Sequence, residues 1–224
     1  MVKVISLGGS IIVPDDINYK YLLNFKTIIS KYSKKEKIII VCGGGSTARK
    51  YISALEKNNV DTKIRSYIGI RVTRLNAWFL INLFKESCNK NIPKSIKEVE
   101  NLVKKNNIVI LGGLRYHPEE TSDGAAASIA KNYKTDFINM TNVKGLYDKN
   151  PKLGNAKFIP KISFSDFYKR ISKFKYKPGQ HFILDHNAAK IIKKYKIKTY
   201  IIGPGLKNLE KLLKNKKFAG TIIG

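Results

Sequence analysis

Three clusters of small residues stand where a backbone could meet an anion: Gly8-Gly9-Ser10, Gly43-Gly44-Gly45-Ser46-Thr47 and Gly112-Gly113. Each follows an apolar run and leads towards a helix start. Glycine lets an N–H approach a ligand with no Cβ between them. A helix N-terminus adds oriented donors and a partial positive charge. One such pair is an ordinary tight turn, but three in one chain point to a phosphate-bearing ligand. Arg49 lies one turn beyond the second cluster, and its planar fork can grip a phosphate with two parallel hydrogen bonds. Thr121-Ser122-Asp123 opens a run of small residues and brings two hydroxyls and a carboxylate to another helix start. Neither a GxxxxGK[ST] loop nor a GxGxxG fingerprint is present, so the two commonest nucleotide-binding designs are absent.

These loops need strands to end on and helices to begin. Val2–Leu7, Lys37–Val41, Ile108–Leu111, Asp136–Met140, Ile197–Ile202 and Thr221–Ile223 read as buried strands. Helical spacing falls over Asn18–Tyr32, Ala48–Lys57 (capped by Ser46 or Thr47), Ile68–Phe84, Ser122–Asn132, 186–195 and 206–214. Ser95 followed by Glu98 is a capping box for one more helix. The alternation predicts an α/β domain, a three-layer αβα sandwich around a largely parallel sheet, with ligands at the carboxyl ends of its strands. The stretch 148–180, rich in lysine and holding Pro151, Pro160 and Pro178, reads as a mobile flap.

The chain has 224 residues and a net charge of +27, from 43 basic and 16 acidic groups. A basic balance of this size makes nucleic acid the first suspect partner. The excess is spread evenly along the chain, with 20 basic and 8 acidic groups in residues 1–112 and 23 and 8 in the remainder. Thirty-seven of the 43 are Lys, whereas Arg is the usual reader of bases and phosphates. The charge therefore reads as a solvated surface bias, with nucleic-acid contact at most weak and non-specific. Two cysteines exclude a disulfide framework. His181 and His186 lack a third ligand at metal spacing, so no residue is assigned to a resident metal. The apolar stretch 67–84 is broken by Arg71, Arg74, Asn76 and Asn82, which excludes a membrane span, and the chain reads as cytoplasmic.

LGGS at 7–10, CGGGSTARKY at 42–51, IGIRVTRLNA at 68–77, TSDGAAA at 121–127 and TNVKGLYDKNP at 141–151 resemble the amino acid kinase superfamily. GGGSTARKY followed by GI-x-x-[TS]-R-x-NA is most similar to its archaeal uridylate kinase branch. The likeness runs in order through ILDHNAAKIIKKYKIKT at 183–199 to GTII at 220–223. The resemblance implies one domain over 1–224, with the acceptor side mainly in 1–135 and the ATP side mainly in 136–224. It implies transfer of the ATP γ-phosphoryl to UMP with Mg2+, in a homohexamer built as a trimer of dimers. Carried onto this chain, Arg49, Asp123, Gly9 and Ser10 are catalytic. Gly9, Ser10, Gly45, Arg49, Thr141, Asn142, Tyr147 and Asn150 bind ATP. Gly44, Ser66, Leu114, Arg115, His117, Pro118, Glu120, Thr121 and Ser122 bind UMP.

Four departures stand against the family pattern. Ser6 occupies a position that is Lys in many superfamily members, and Ser66 one that is normally acidic. VKGLYDKNP replaces VDGVYxxDP, placing Lys144 and Asn150 where the family has acids, with Asp148 two residues away as a substitute carboxylate. The loop GGLRYHPEETS is two residues longer than its family counterpart. Two other readings stay open at this point: a kinase of the same fold acting on isopentenyl phosphate or carbamate, and a non-catalytic basic relative that binds nucleotides or RNA.

Overall fold

The computed structural model describes residues 1–117, 121–151, 154–173 and 184–224. Strand β1 (Val2–Leu7) is followed by the single turn α1 (Gly9–Ile12) and by α2 (Tyr19–Tyr32). Next come β2 (Lys37–Cys42), α3 (Gly45–Lys57), α4 (Thr62–Phe84), a 3-10 turn at Lys85–Ser87, α5 (Ile96–Lys105) and β3 (Ile108–Leu111). Then follow α6 (Ser122–Asn132), β4 (Phe137–Met140), and the short strands β5 (Leu146–Tyr147), β6 (Phe158–Ile159) and β7 (Lys161–Ile162). The chain ends with α7 (Phe164–Ile171), α8 (His186–Tyr195), β8 (Thr199–Ile202), α9 (Leu206–Leu213) and β9 (Thr221–Ile223).

Seven strands form one sheet in the order β3-β2-β1-β4-β8-β9-β7. The first five run parallel; β9 turns against β8 and pairs in parallel with β7. Side chains alternate across the sheet with period two. Val4, Ile39, Val109 and Phe137 face a layer in which Val99 of α5, Ile129 of α6, Phe167 of α7 and Ile192 of α8 are buried. Ile5, Ile38, Ile40 and Ile110 face the opposite layer, built from Phe25 of α2, Leu80 and Phe84 of α4 and Leu209 of α9. With both faces covered, the strands read as continuous apolar runs. The αβα sandwich expected from the sequence is therefore present.

The structure revises three local readings. Helix α3 begins at Gly45, with Gly44 rather than Ser46 or Thr47 as N-cap, because Ser46 is drawn into a bond described below. Helix α4 begins at Thr62, six residues before the apolar pattern, capped by Asp61, whose carboxylate accepts from Lys63 N at 2.8 Å. Its first turns pack on α3 and not on the sheet, so no core-facing stripe announces them. The flap expected over 148–180 is corrected in its described part. Residues 154–173 hold β6, β7 and α7, with Phe167 fully buried and Ile171 nearly so, because apolar residues at helical spacing in α7 anchor the segment to α8. Positions 174–180 of that stretch lie outside the described residues.

Candidate active site

Parallel register brings the ends of β1, β2 and β4 side by side, and the loops that leave them interlock. Gly8 N donates to Met140 O and Gly43 N to Leu7 O, both at 2.9 Å. A Cβ on Gly9 would lie 1.9 Å from Gly45 N, and one on Gly43 would lie 2.3 Å from Gly9 N. Gly45 has a φ of +67° and would place a Cβ 2.5 Å from Gly9 O. No residue with a side chain fits any of the three positions. Ser46 N donates to Val13 O at 2.9 Å and its hydroxyl to Asp15 O at 3.1 Å, pinning the start of α3 to the chain leaving α1. Gly9 and Ser10 thus open α1 and Gly45 opens α3, where N–H groups have no carbonyl one turn back. Arg49 sits half-buried one turn into α3.

The second centre is a pair of carboxylates at the start of α6. Asp123 is partly buried and accepts a 2.6 Å hydrogen bond from the Ser6 hydroxyl on β1. Asp185, 2% exposed, caps α8 by accepting from Ala188 N at 2.6 Å. It also accepts from Thr121 N (2.8 Å), Thr121 Oγ1 (2.6 Å) and Gly124 N (3.0 Å). Desolvation first, and then the adjacent Asp185 charge, push the Asp123 carboxyl up from 3.8 to about 7, against the Ser6 hydrogen bond that lowers it. Asp123 is therefore poised to exchange a proton near neutrality. Thr121 gives both its donors to Asp185, which leaves Ser122, half-buried, at the first position of α6. Among the described residues no group of three His, Cys, Asp or Glu could hold a metal ion.

The amino acid kinase family profile matches residues 1–203. The chain belongs to the amino acid kinase family. It is 36% identical to the uridylate kinase of Thermoplasma acidophilum, over 98% of this chain and 95% of that protein. It is 35% identical to that of Archaeoglobus fulgidus over the whole of both chains. The crystal structure of the Archaeoglobus fulgidus uridylate kinase superposes with a TM-score of 0.84, covering 99% of this chain and all of that one. A Bacillus anthracis UMP kinase at 19% identity shares the fold, with a TM-score of 0.80.

Within this amino acid kinase fold, the conspicuous IGIRVTRLNA motif acts as a brace, a role the sequence reading missed. Asn76 donates to Gly43 O at 2.8 Å and to Gly44 O at 3.2 Å, fixing the second glycine loop. Thr73 Oγ1 accepts from Gly113 N at 2.8 Å, and Arg74 Nε donates to Gly113 O at 3.0 Å, with its Nη2 on Leu114 O. A Cβ on Gly112 would lie 2.6 Å from Arg74 N, which explains the third glycine pair as a close crossing with α4. The signal was legible as two buried polar residues three positions apart, Thr73 and Asn76, among the apolar positions of the helix. Tyr67 stacks on Tyr116 at 5.2 Å, laying the loop across α4. Leu114 is buried there while Arg115 and His117 are exposed; Pro118 and Glu120 lie outside the described residues. The Ser66 hydroxyl donates back to Thr62 O at 2.9 Å, one turn earlier in its own helix.

On the other side of the cradle, Thr141 is buried at the end of β4 and Asn142 is exposed beside it. Tyr147 stands edge-on to Phe158 at 5.5 Å across the β5–β6 ribbon. Lys144 lies over the same Phe158 ring at 4.6 Å, and Asn150 is exposed at the ribbon's outer end. Asp148, the substitute carboxylate, accepts from Lys157 N at 2.7 Å and closes the ribbon.

Proposed function

We propose that this chain transfers the γ-phosphoryl group of ATP to UMP, giving ADP and UDP, a step of pyrimidine nucleotide biosynthesis in the cytoplasm. The observation that carries the reading is the interlocked backbone cradle of Gly8-Gly9-Ser10 and Gly43-Gly44-Gly45, in a chain similar to uridylate kinases along its whole length. A UMP phosphate oxygen attacks the γ-phosphorus in line as the bond to the ADP oxygen breaks. This chemistry asks for positioning and charge neutralisation more than for covalent help.

In this reading Gly9 and Ser10 present N–H groups to the transferring phosphoryl, and Gly45 and Arg49 hold the ATP phosphates. Gly44 faces UMP. Ser122, with Thr121 beside it, meets the UMP phosphate at the positive end of α6. Ser66, Leu114, Arg115 and His117, with Pro118 and Glu120, surround the nucleoside of UMP; Thr141, Asn142, Tyr147 and Asn150 take the adenosine. Mg2+ arrives with ATP and neutralises phosphate charge. The residues present suit that arrangement: the four donors on Asp185 leave Asp123 as the carboxylate that would face the charge of a nucleotide-borne Mg2+. The acceptor side then falls mainly in residues 1–135 and the ATP side in 136–224.

A homohexamer built as a trimer of dimers belongs to the same reading. Ile64, Tyr67, Leu75 and Trp78 form one exposed stripe along α4, between 43% and 61% accessible, which a second copy would cover. Light scattering on the purified protein measures this directly. The catalytic reading is tested by a coupled assay of ADP release with ATP, Mg2+ and a panel of acceptors. The expected result is turnover on UMP well above CMP. Turnover confined to isopentenyl phosphate or carbamate, or none at all, overturns it.

A further inference from the structure

The charge that is even along the sequence is not even in the fold. In a parallel sheet a helix that leads directly into the next parallel strand returns the chain to the amino ends of the strands, so the C-termini of α2, α5, α6 and α8 collect at the pole opposite the glycine loops. Four such segments, 31–37, 104–107, 131–136 and 193–198, contain twelve lysines and only two acids, Glu36 and Asp136. Hydrogen bonds set them side by side. Lys37 N donates to Met1 O (3.0 Å), Ile38 N to Asn107 O (2.8 Å), and Phe137 N to Lys198 O (3.0 Å). Thr135 Oγ1 donates to Val2 O at 2.7 Å, and Lys37 reaches across to Lys104 O at 3.3 Å. The strand order β3-β2-β1-β4-β8 therefore lays the segments in one row, about 20 Å long from the ordinary strand spacing.

Complementing helix dipoles explains one or two cations in each last turn. It does not explain Lys134, Lys196 and Lys198, which lie beyond the helices, the first two at positive φ. The acids nearby are too few to neutralise the row: Glu36, Asp136, which accepts from the Tyr200 hydroxyl at 3.1 Å, and Glu100 of α5, which accepts from Asn132 at 2.8 Å, offset only part of twelve lysines. The row also carries an aromatic platform. Tyr195 is 44% exposed, with Lys131 4.5 Å and Lys194 5.5 Å from its ring centroid. Lys193 lies over Tyr168 at 4.5 Å. The Tyr195 hydroxyl is held below its ordinary range, chiefly by its hydrogen bond and charge contact with Lys131 and then by Lys194, as expected where cations crowd.

We infer that this pole is a binding surface for single-stranded RNA, in which the lysine row follows the phosphates and Tyr195 stacks on a base. Lysines on a groove-free edge with an exposed ring suit a flexible strand whose bases can turn out, and the row's length matches a site of about four to six nucleotides. The surface lies across the sheet from the catalytic cradle and acts without occupying it.

The test is fluorescence anisotropy of a labelled oligoadenylate on the full chain, with excess ATP keeping the nucleotide pocket filled. Affinity should fall with salt at a logarithmic slope of about −0.7 per phosphate contacted, totalling about −2 or steeper. Lys131→Glu with Lys194→Glu should weaken binding at least tenfold and flatten the slope. Tyr195→Ala should weaken it about fivefold or more and leave the slope unchanged. Lys57→Glu with Lys207→Glu makes the same change of net charge away from the pole and should have little effect. All these variants should phosphorylate UMP as the parent does, which reports that they fold. Absence of RNA binding at low salt, equal losses from the two charge pairs, or binding to phosphatidylserine vesicles without binding to RNA overturns the inference.

Discussion

Asp123→Asn isolates the cost of holding one carboxyl between Ser6 and Asp185. In the folded chain burial and the neighbouring charge raise this group to about 7 from 3.8. The native state thus keeps the proton through a range in which the unfolded chain releases it. Stability owed to the protonated form is fully present below the unfolded value and is lost as pH rises towards 7. Linkage at about 1.4 kcal/mol per unit gives a fall of about 2–3 kcal/mol from about pH 5 to about pH 8. Asparagine keeps the acceptor for Ser6 Oγ at 2.6 Å but does not titrate, so the variant lacks this fall. Subtracting its curve removes the contribution of every group not coupled to Asp123. Thermal unfolding at several pH values reads the difference directly. For a chain of this length the gap in Tm between variant and parent should widen by roughly 5–10 °C over that range. A gap that stays constant refutes the burial argument, and one that narrows reverses its sign.

Arg49→Ala should lower kcat/KM for UMP phosphorylation by about 100-fold or more, the scale of a lost transition-state donor; a loss below tenfold means that Arg49 does not hold the phosphates. Asn76→Ala leaves the Gly43 and Gly44 carbonyls without their brace, and should cost about 1–3 kcal/mol. Thermal melts should show Tm lowered by roughly 5 °C, and an unchanged Tm removes the brace from the argument. Lys144→Ala tests whether the cation parked over Phe158 offsets the Lys absent at position 6. It should raise KM for ATP about two- to fivefold, the scale of a partly exposed cation contact, and unchanged turnover and KM sink the idea.

The strands and the sandwich were legible because buried parallel strands are near-continuous apolar runs and their partners are amphipathic. The glycine loops were legible because positions such as Gly45, with positive φ and a backbone atom where a Cβ would go, accept no other residue. What escaped was structure held by partners distant in sequence. The first turns of α4 face α3, so their pattern carries no core period. The segment 154–173 looked loose because four lysines and Pro160 mask a few anchors such as Phe167 and Ile171. Ser6 and Asp123 are 117 positions apart, and their meeting depends on the register of β1 with β4. The polar residues of TRLNA were visible, but their target, the carbonyls of two loops, belongs to the fold.

The interlock of Gly9, Gly43 and Gly45 also constrains how this chain can change over time. A clash created by one substitution is commonly repaired by a second that removes bulk from the neighbour. Here the neighbours are bare main chain, and there is nothing left to remove. The three positions have no pairwise remedy, so a library randomised at all of them together should return the parent triplet and little else. Nucleotide preference must then drift through residues such as Ser66 and Lys144 at the rim, while the cradle that handles the phosphates stays fixed.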